Sequence, residues 1–340
     1  MIKEAISHLT QGIDLNAAQT EEVMVEIMSN RCTPAQIAAL LIALKMKGES
    51  VEEITGATLG MLEKAVHIKT SRQEMIDLCG TGGDGTSTLN VSTISSFVAA
   101  GAGVNVAKHG NRSVSSPCGS ADLLEALGIN LELPPFKVAE ALDEFGFCFL
   151  FAPLFHPAMK HALQPRKEIG VRTLFNIIGP LANPLRVKRQ LVGVFSADFM
   201  LPVSKALDLL GTEKALIVHS SDGLDEISIS APSRGMLVEK GQIEEIEIVP
   251  QDYGFKTRNL DLVRTETMED NVRAFFRVLK GEKGAEREIV VLNSGASIFI
   301  SGKARDIKEG IEMAVEAIDS GKAYRLFSRY RLFSRKVKNE

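Results

Sequence analysis

From Met75 onward the chain alternates short apolar runs with helix-patterned segments, and no other feature constrains its fold as strongly. Met75–Cys79, Val104–Ala107, Phe147–Phe151, Gln190–Phe195 and Ala215–His219 are apolar and of strand length. Between them, Ser92–Ala100, Cys118–Leu127, Pro157–Leu163 and residues 199–210 carry helical spacing. Strands joined through helices form parallel βαβ units, because a parallel crossover needs a dozen residues or more. Ligands of such sheets lie beyond the carboxyl ends of the strands. Met236–Lys240 and Ile243–Val249 read as a hairpin, and the last 70 residues return to helices.

The first 66 residues read as helices throughout. Thr33-Pro34-Ala35-Gln36 and Ser50-Val51-Glu52-Glu53 are capping boxes, each opening a helix. Ile37–Leu44 is apolar on nearly every face, so this helix must be covered by another domain or subunit. A length of 340 residues suits two domains.

Composition excludes several classes. The chain is 45% hydrophobic and 24% charged, which rules out a disordered or fibrous polymer. Its net charge of −4 does not point to nucleic acid. That total conceals a +6 segment at 322–340, where Tyr324–Arg329 repeats at once as Tyr330–Arg335, and a −10 body. The repeat reads as an extension of a terminal helix, with a phosphate-binding tail as the alternative. Cys32, Cys79, Cys118 and Cys148 form no C-x-x-C pair, which fits a reducing, cytoplasmic setting. The N-terminus lacks signal-peptide features, and the longest uncharged run is too polar for a membrane span.

Eight of the 28 glycines fall within residues 80–119. Gly80-Thr81-Gly82-Gly83-Asp84-Gly85 follows the first strand and matches G-x-G-x-x-G. A dinucleotide site would open a helix at the last glycine and place an acid about 20 residues on. Here Thr86–Leu89 intervenes, and the second strand ends in Lys108 and His109. The loop suits a phosphate cradle instead: backbone N–H groups converge without Cβ interference, and Asn90-Val91-Ser92-Thr93 starts a helix whose positive end favours anions. A plain turn followed by an N-cap is the competing description.

Lys108-His109-Gly110-Asn111-Arg112-Ser113-Val114-Ser115-Ser116, with Gly119 and Ser120, is dense in donors and free of acids, as a second phosphate needs. A solvated loop is the alternative, and His109 alone is equally readable as a structural histidine. Asp225 and Glu226 follow the strand ending at His219 and suit Mg²⁺, unless they are solvated acids of an Asp-Gly turn. Arg166, ahead of Leu174–Pro180, suits a substrate carboxylate or a surface ion pair.

Taken together and in order, Gly80–Asp84, Asn90–Thr93, Lys108–Arg112 and Arg166–Pro184 closely resemble the anthranilate phosphoribosyltransferase family. The likeness runs over nearly the whole chain; the duplicated tail lies outside it. The resemblance implies an α/β fold with a small all-α domain, 1–70 plus an excursion near 167–185, and a larger domain, 71–340, with a mostly parallel sheet like that of nucleoside phosphorylases. It implies a homodimer formed through the helical domain. It implies transfer of phosphoribose from 5-phosphoribosyl-1-diphosphate (PRPP) to the amine of anthranilate, the second step from chorismate to tryptophan. Gly80, Gly83, Asp84, Thr88, Asn90, Val91, Ser92, Thr93, Lys108 through Ser116, and Ser120 would surround PRPP. Ser92, Asp225 and Glu226 would hold Mg²⁺. Gly80, Asn111 and Arg166 would meet anthranilate, walled by His109 and Pro180. Lys108 and Arg112 would stabilise the leaving charge, and no single general base is expected. A pyrimidine nucleoside phosphorylase, whose family has a Lys-His-Ser pattern at the phosphate loop, is the rival enzyme. A nucleic-acid-binding, non-catalytic relative is the rival from another class.

Overall fold

The computed structural model describes residues 1–113 and 118–337. Val114, Ser115 and Ser116 of the expected diphosphate loop lie outside the described residues.

Four helices open the chain: α1 (Ile2–Thr10), α2 (Ala17–Met28), α3 (Pro34–Lys47) and α4 (Val51–Glu63). Asn16, Thr33 and Ser50 each complete a capping box with the residue three positions on. Glu53 of the third box is fully buried, where it also accepts the Leu15 N–H at 3.0 Å and pairs with Lys47 at 3.0 Å. Helices α2 and α4 cross closely, because a Cβ at Gly56 would collide with the Ala17 carbonyl. The apolar α3 buries Ile37, Leu40, Leu41, Ala43 and Leu44 within the chain. Ala39 stays exposed and Met46 is 83% accessible, one helical stripe that the other described residues of the chain leave uncovered.

The sheet has seven strands: β1 (Met75–Gly80), β2 (Asn105–Gly110), β3 (Phe147–Phe151), β4 (Arg189–Gly193), β5 (Lys214–Ser220), β6 (Ser233–Glu239) and β7 (Gln242–Ile248). Their order is β3-β2-β1-β4-β5-β6-β7. The first five are parallel, and the β6–β7 hairpin adds antiparallel to β5. Chain progress runs outward from β1 through β2 to β3, then resumes on the other side of β1 with β4. The crevice past the ends of β1 and β4 is therefore a topological switch point, where open α/β sheets bind ligands.

Alternate side chains of the strands face opposite sides of the sheet. Ile76, Leu78, Leu191, Leu216 and Val218 face one core, shared with α5 (Val91–Gly101) and the C-terminal helices. Val192, Ala215 and Ile217 face the other, shared with α1–α4 and with Leu174, Phe175, Ile177 and Ile178. The latter four lie on the helix Leu174–Leu181, so that stretch packs with the N-terminal helices although the α/β part precedes it in sequence. Ala107 of β2 with Cys148 and Leu150 of β3 join a third, smaller core.

The duplicated tail forms the helix Lys322–Lys336. A six-residue repeat turns about 240° on an α-helix of 3.6 residues per turn, so its two copies cannot present the same face. Phe327 from the first copy and Tyr330 and Ser334 from the second are buried. The Tyr330 hydroxyl accepts the Phe149 N–H at 3.2 Å and thereby satisfies a donor on edge strand β3.

Candidate active site

At the carboxyl end of β1, the glycine loop bends through three residues in the left-handed region, Gly82 (φ 65°), Gly83 (φ 75°) and Gly85 (φ 77°). Gly80 admits no side chain either, because a Cβ there would lie 2.6 Å from Asp225 Oδ2. At the end of β4 a Cβ on Gly193 would strike the Asp225 carbonyl. Two glycines on adjacent strands thus let the loop after β5 lean over the switch point.

That loop delivers the acids. Asp225 Oδ2 accepts the Gly82 N–H at 2.8 Å, and Glu226 Oε1 accepts the Ser92 N–H at 3.0 Å near the start of α5. Asn90, at the N-cap position of α5, forms no side-chain cap bond. Its amide instead donates to the Cys118 carbonyl at 3.2 Å and to Asn271 Oδ1 at 3.0 Å. A glutamate from a distant loop therefore sits on the positive end of α5, the position an anionic substrate group favours. Burial pushes both carboxyls well above their ordinary range; nearby Asp84 adds to the effect on Asp225, and Asp225 to that on Glu226.

The strand β2 continues past the expected Ala107 through Lys108, His109 and Gly110, so these residues are on the sheet and not in a loop. Lys108 is 1% exposed, and its ammonium donates to the Leu78 carbonyl at 2.6 Å and to Ser92 Oγ at 3.2 Å. Burial lowers its pKa, against the pull of Asp77. His109 is buried 5.3 Å from the ring of His156, and its Nε2 has no hydrogen-bond partner. Burial holds its imidazole down at about 3, so it is neutral at physiological pH.

Arg166 lies on the helix Lys160–Ile169, which runs through Pro165 and past the expected helical stretch Pro157–Leu163. Its guanidinium sits 5.0 Å from the Phe175 ring centroid and forms no ion pair among the described residues. Its only displacement is the lowering caused by burial. The ion pair offered as an alternative is absent; Glu168 is bonded by Gln164 at 2.6 Å instead. The next helix includes Gly179 and Pro180 and ends at Leu181, so Pro180 is inside a helix and not beyond it.

The site residues read from the sequence separate into two groups. Gly80, Gly83, Asp84, Ser92, Lys108, Asp225 and Glu226 converge at the switch point. Val91 and Thr93 are buried, so only their backbone is placed to serve a ligand. Thr88 pairs with Arg264 in an isolated bridge that closes the glycine loop from above. Arg112 turns outward, bonded to Glu125 at 2.7 Å and to Asp122 at 3.1 Å. Asn111 accepts the Arg112 N–H at 2.7 Å, Ser113 donates its N–H to Asp122 at 2.9 Å, and Ser120 donates to the Asn111 carbonyl at 3.3 Å.

Sequence reasoning missed Arg172, Asn271, Asp77, Asn183 and Gln190. Arg172 stacks 4.3 Å from the Phe195 centroid and covers Gly83, where a Cβ would meet its guanidinium at 2.6 Å. Asn271 anchors Asn90 from a helix 181 residues away. Only Asp77 gave a signal, as a carboxylate inside an apolar strand.

Among the described residues, no group of three or more His, Cys, Asp and Glu side chains is gathered into a metal site. The donors that converge, two carboxylates and a hydroxyl, are hard oxygens that suit Mg²⁺ shared with a phosphorylated substrate. Two buried acids with raised pKa values are the counterpart such a cation needs.

This combination of fold and crevice defines a class, the glycosyl transferases that pair a helical bundle with an α/β domain. The helical bundle domain model of that family matches residues 3–65, and its α/β domain model matches residues 72–324. The anthranilate phosphoribosyltransferase of Persephonella marina is 48% identical over 98% of this chain and 99% of its own. A crystal structure of the Thermus thermophilus enzyme of that name superposes with a TM-score of 0.92 at 42% identity, covering 97% of this chain and 99% of that one. The Saccharomyces cerevisiae enzyme, in complex with PRPP and Mg, superposes at 0.90 with 26% identity over 98% of each chain. The chain belongs to the anthranilate phosphoribosyltransferase family.

Proposed function

We propose that this enzyme transfers the 5-phosphoribosyl group of PRPP to the amine of anthranilate, releasing diphosphate and N-(5-phosphoribosyl)anthranilate for tryptophan biosynthesis. The observation that carries the reading is the convergence, at one switch point, of the glycine loop, the amino end of α5, Lys108 and the Asp225–Glu226 pair. A diphosphate sugar with its divalent cation presents the matching charges.

Displacement at C1 of the ribose builds positive charge on the sugar and negative charge on the diphosphate. Loop amides and the α5 amino end lie where that negative charge develops, and such prearranged donors supply most of the rate. Lys108 holds the Ser92 hydroxyl, and Arg112 would leave its two surface acids to reach the substrate. Ser92, Asp225 and Glu226 would hold Mg²⁺, which when bound neutralises diphosphate charge. In doing so the two carboxylates free the Gly82 and Ser92 amides for phosphate oxygens. The unpaired Arg166 receives the anthranilate carboxylate, with Gly80 and Asn111 beside it and neutral His109 and Pro180 as walls. An arylamine attacks in its neutral form and loses its proton afterwards, so no strong base is required. Residues 1–70 with 167–185 act as the helical unit and 71–340 as the PRPP-binding unit, closing on each other to exclude water.

The accessible stripe of α3 suits a second copy of the chain, giving a homodimer through the helical unit. No helix among the described residues is long and apolar enough to cross a membrane, and among them Cys32, Cys79 and Cys148 form no disulfide, in keeping with a cytoplasmic enzyme. The reading is tested by mixing protein, Mg²⁺, PRPP and anthranilate and following anthranilate fluorescence. No PRPP-dependent loss at micromolar enzyme overturns it.

A further inference from the structure

Residues Gly179–Asn183 form the proposed acceptor wall, and four buried side chains, Asp77, Asn183, Gln190 and His156, hold them or their neighbours in place. Asp77 of β1 is fully buried, where a carboxylate without hydrogen bonds would be costly. Its Oδ1 accepts the His109 N–H at 3.1 Å, and its Oδ2 accepts Asn183 Nδ2 at 2.8 Å. The same Asn183 amide donates to the Ala107 carbonyl at 2.8 Å and accepts the Leu185 N–H at 2.9 Å. Gln190 of β4, also buried, donates to the Pro180 carbonyl at 2.9 Å. His156 Nε2 meets the Ala182 carbonyl at 2.8 Å.

We propose that Asp77, Asn183 and Gln190 are positioning residues that fix the acceptor wall to the strands carrying the donor cradle. The inference rests on the proposed transferase reading. The same network sets both sides of the acceptor slot: Asp77 locates the main chain of His109, while Asn183 and Gln190 locate Pro180. The bonds thus tie this wall, part of the 167–185 excursion, directly to the strands β1, β2 and β4. Among the described residues, the side chains of Asn183 and Gln190 bond Asp77, Ala107, Leu185 and Pro180 and not the glycine loop, Ser92 or the acid pair. Their loss loosens the acceptor slot and leaves the donor cradle intact. Misplacement by a fraction of an ångström acts on orientation, to which a two-substrate displacement is sensitive.

The test is steady-state kinetics of Asn183→Ala and Gln190→Met, with each substrate varied in turn and folding checked by thermal unfolding. The expected result is a rise in the anthranilate KM of about tenfold, the worth of one buried hydrogen bond, with the PRPP KM within about twofold. The two substitutions together should raise it by less than the product of the single effects, because both loosen one wall. Equal rises in both KM values, or a fall in kcat alone in proportion to the folded fraction, overturn the proposal. Gln190→Met conserves volume and decides the matter if Asn183→Ala does not fold. A wild-type enzyme inactive with anthranilate removes the transferase reading and this inference with it; an active wild type whose variants lack the KM split removes this inference alone.

Discussion

Glu226 Oε1 accepts the Ser92 N–H at 3.0 Å, across 134 residues of chain, and so caps a helix whose own N-cap residue does not. The bond ties the loop after β5 to the helix after β1 and brings the candidate metal ligands onto the anion site.

Because burial favours the protonated forms of Asp225 and Glu226, their amides mimic what the unliganded fold prefers. For acids with raised pKa, the native state holds more protons, so stability falls as pH rises through the window above their ordinary values. Asp225→Asn with Glu226→Gln should therefore raise the Tm of the ligand-free protein at pH 8 while increasing the Mg²⁺ needed for half-maximal activity. An unchanged metal titration removes both residues from the metal site.

Arg166 carries a half-buried charge with no ion pair among the described residues, and Arg166→Ala should mainly raise the KM for anthranilate. A charge-assisted hydrogen bond contributes about 1.5–3 kcal/mol, so the expected rise is roughly 10- to 100-fold. A selective effect on PRPP would refute its carboxylate role.

His109 gives a pH signature in the opposite sense. Its folded pKa of about 3 lies below that of an unfolded histidine, so between about pH 6.5 and 3 the unfolded state binds the extra proton. Stability falls as pH falls through this window, by about 1.4 kcal/mol per pH unit from this group. Denaturant unfolding of wild type and His109→Asn at pH 6 and pH 4 isolates the term: the gap between them should narrow toward acid. A pH-independent gap would mean that the imidazole is not held neutral by the fold.

The tail repeat predicts a stability effect. Tyr330→Phe leaves the Phe149 N–H without its acceptor and should cost about 1–3 kcal/mol. Deleting one hexapeptide places Lys336 at the Tyr330 position and should cost at least the 3–5 kcal/mol typical of losing a buried aromatic. Thermal unfolding checks both, and a deletion as stable as wild type would show that the second copy is not part of the core.

The amino-acid sequence by itself determined the kinds of element and their alternation, because helical and strand periodicities are local, and so are capping boxes and glycine turns. It also singled out one loop as the candidate phosphate cradle: Gly80–Gly85 followed by a helix start is a contiguous signal. Tertiary structure decided the rest. Lys108 reads as a loop cation, yet it is buried because β2 runs three residues further than its apolar run. Arg112 reads as a phosphate ligand, yet the chain brings Asp122 and Glu125 to it. Asp77, Asn183, Gln190 and Asn271 carry no chemistry in isolation. Their roles arise where residues 10 to 181 positions apart meet, and no local pattern encodes the partner of a buried polar group.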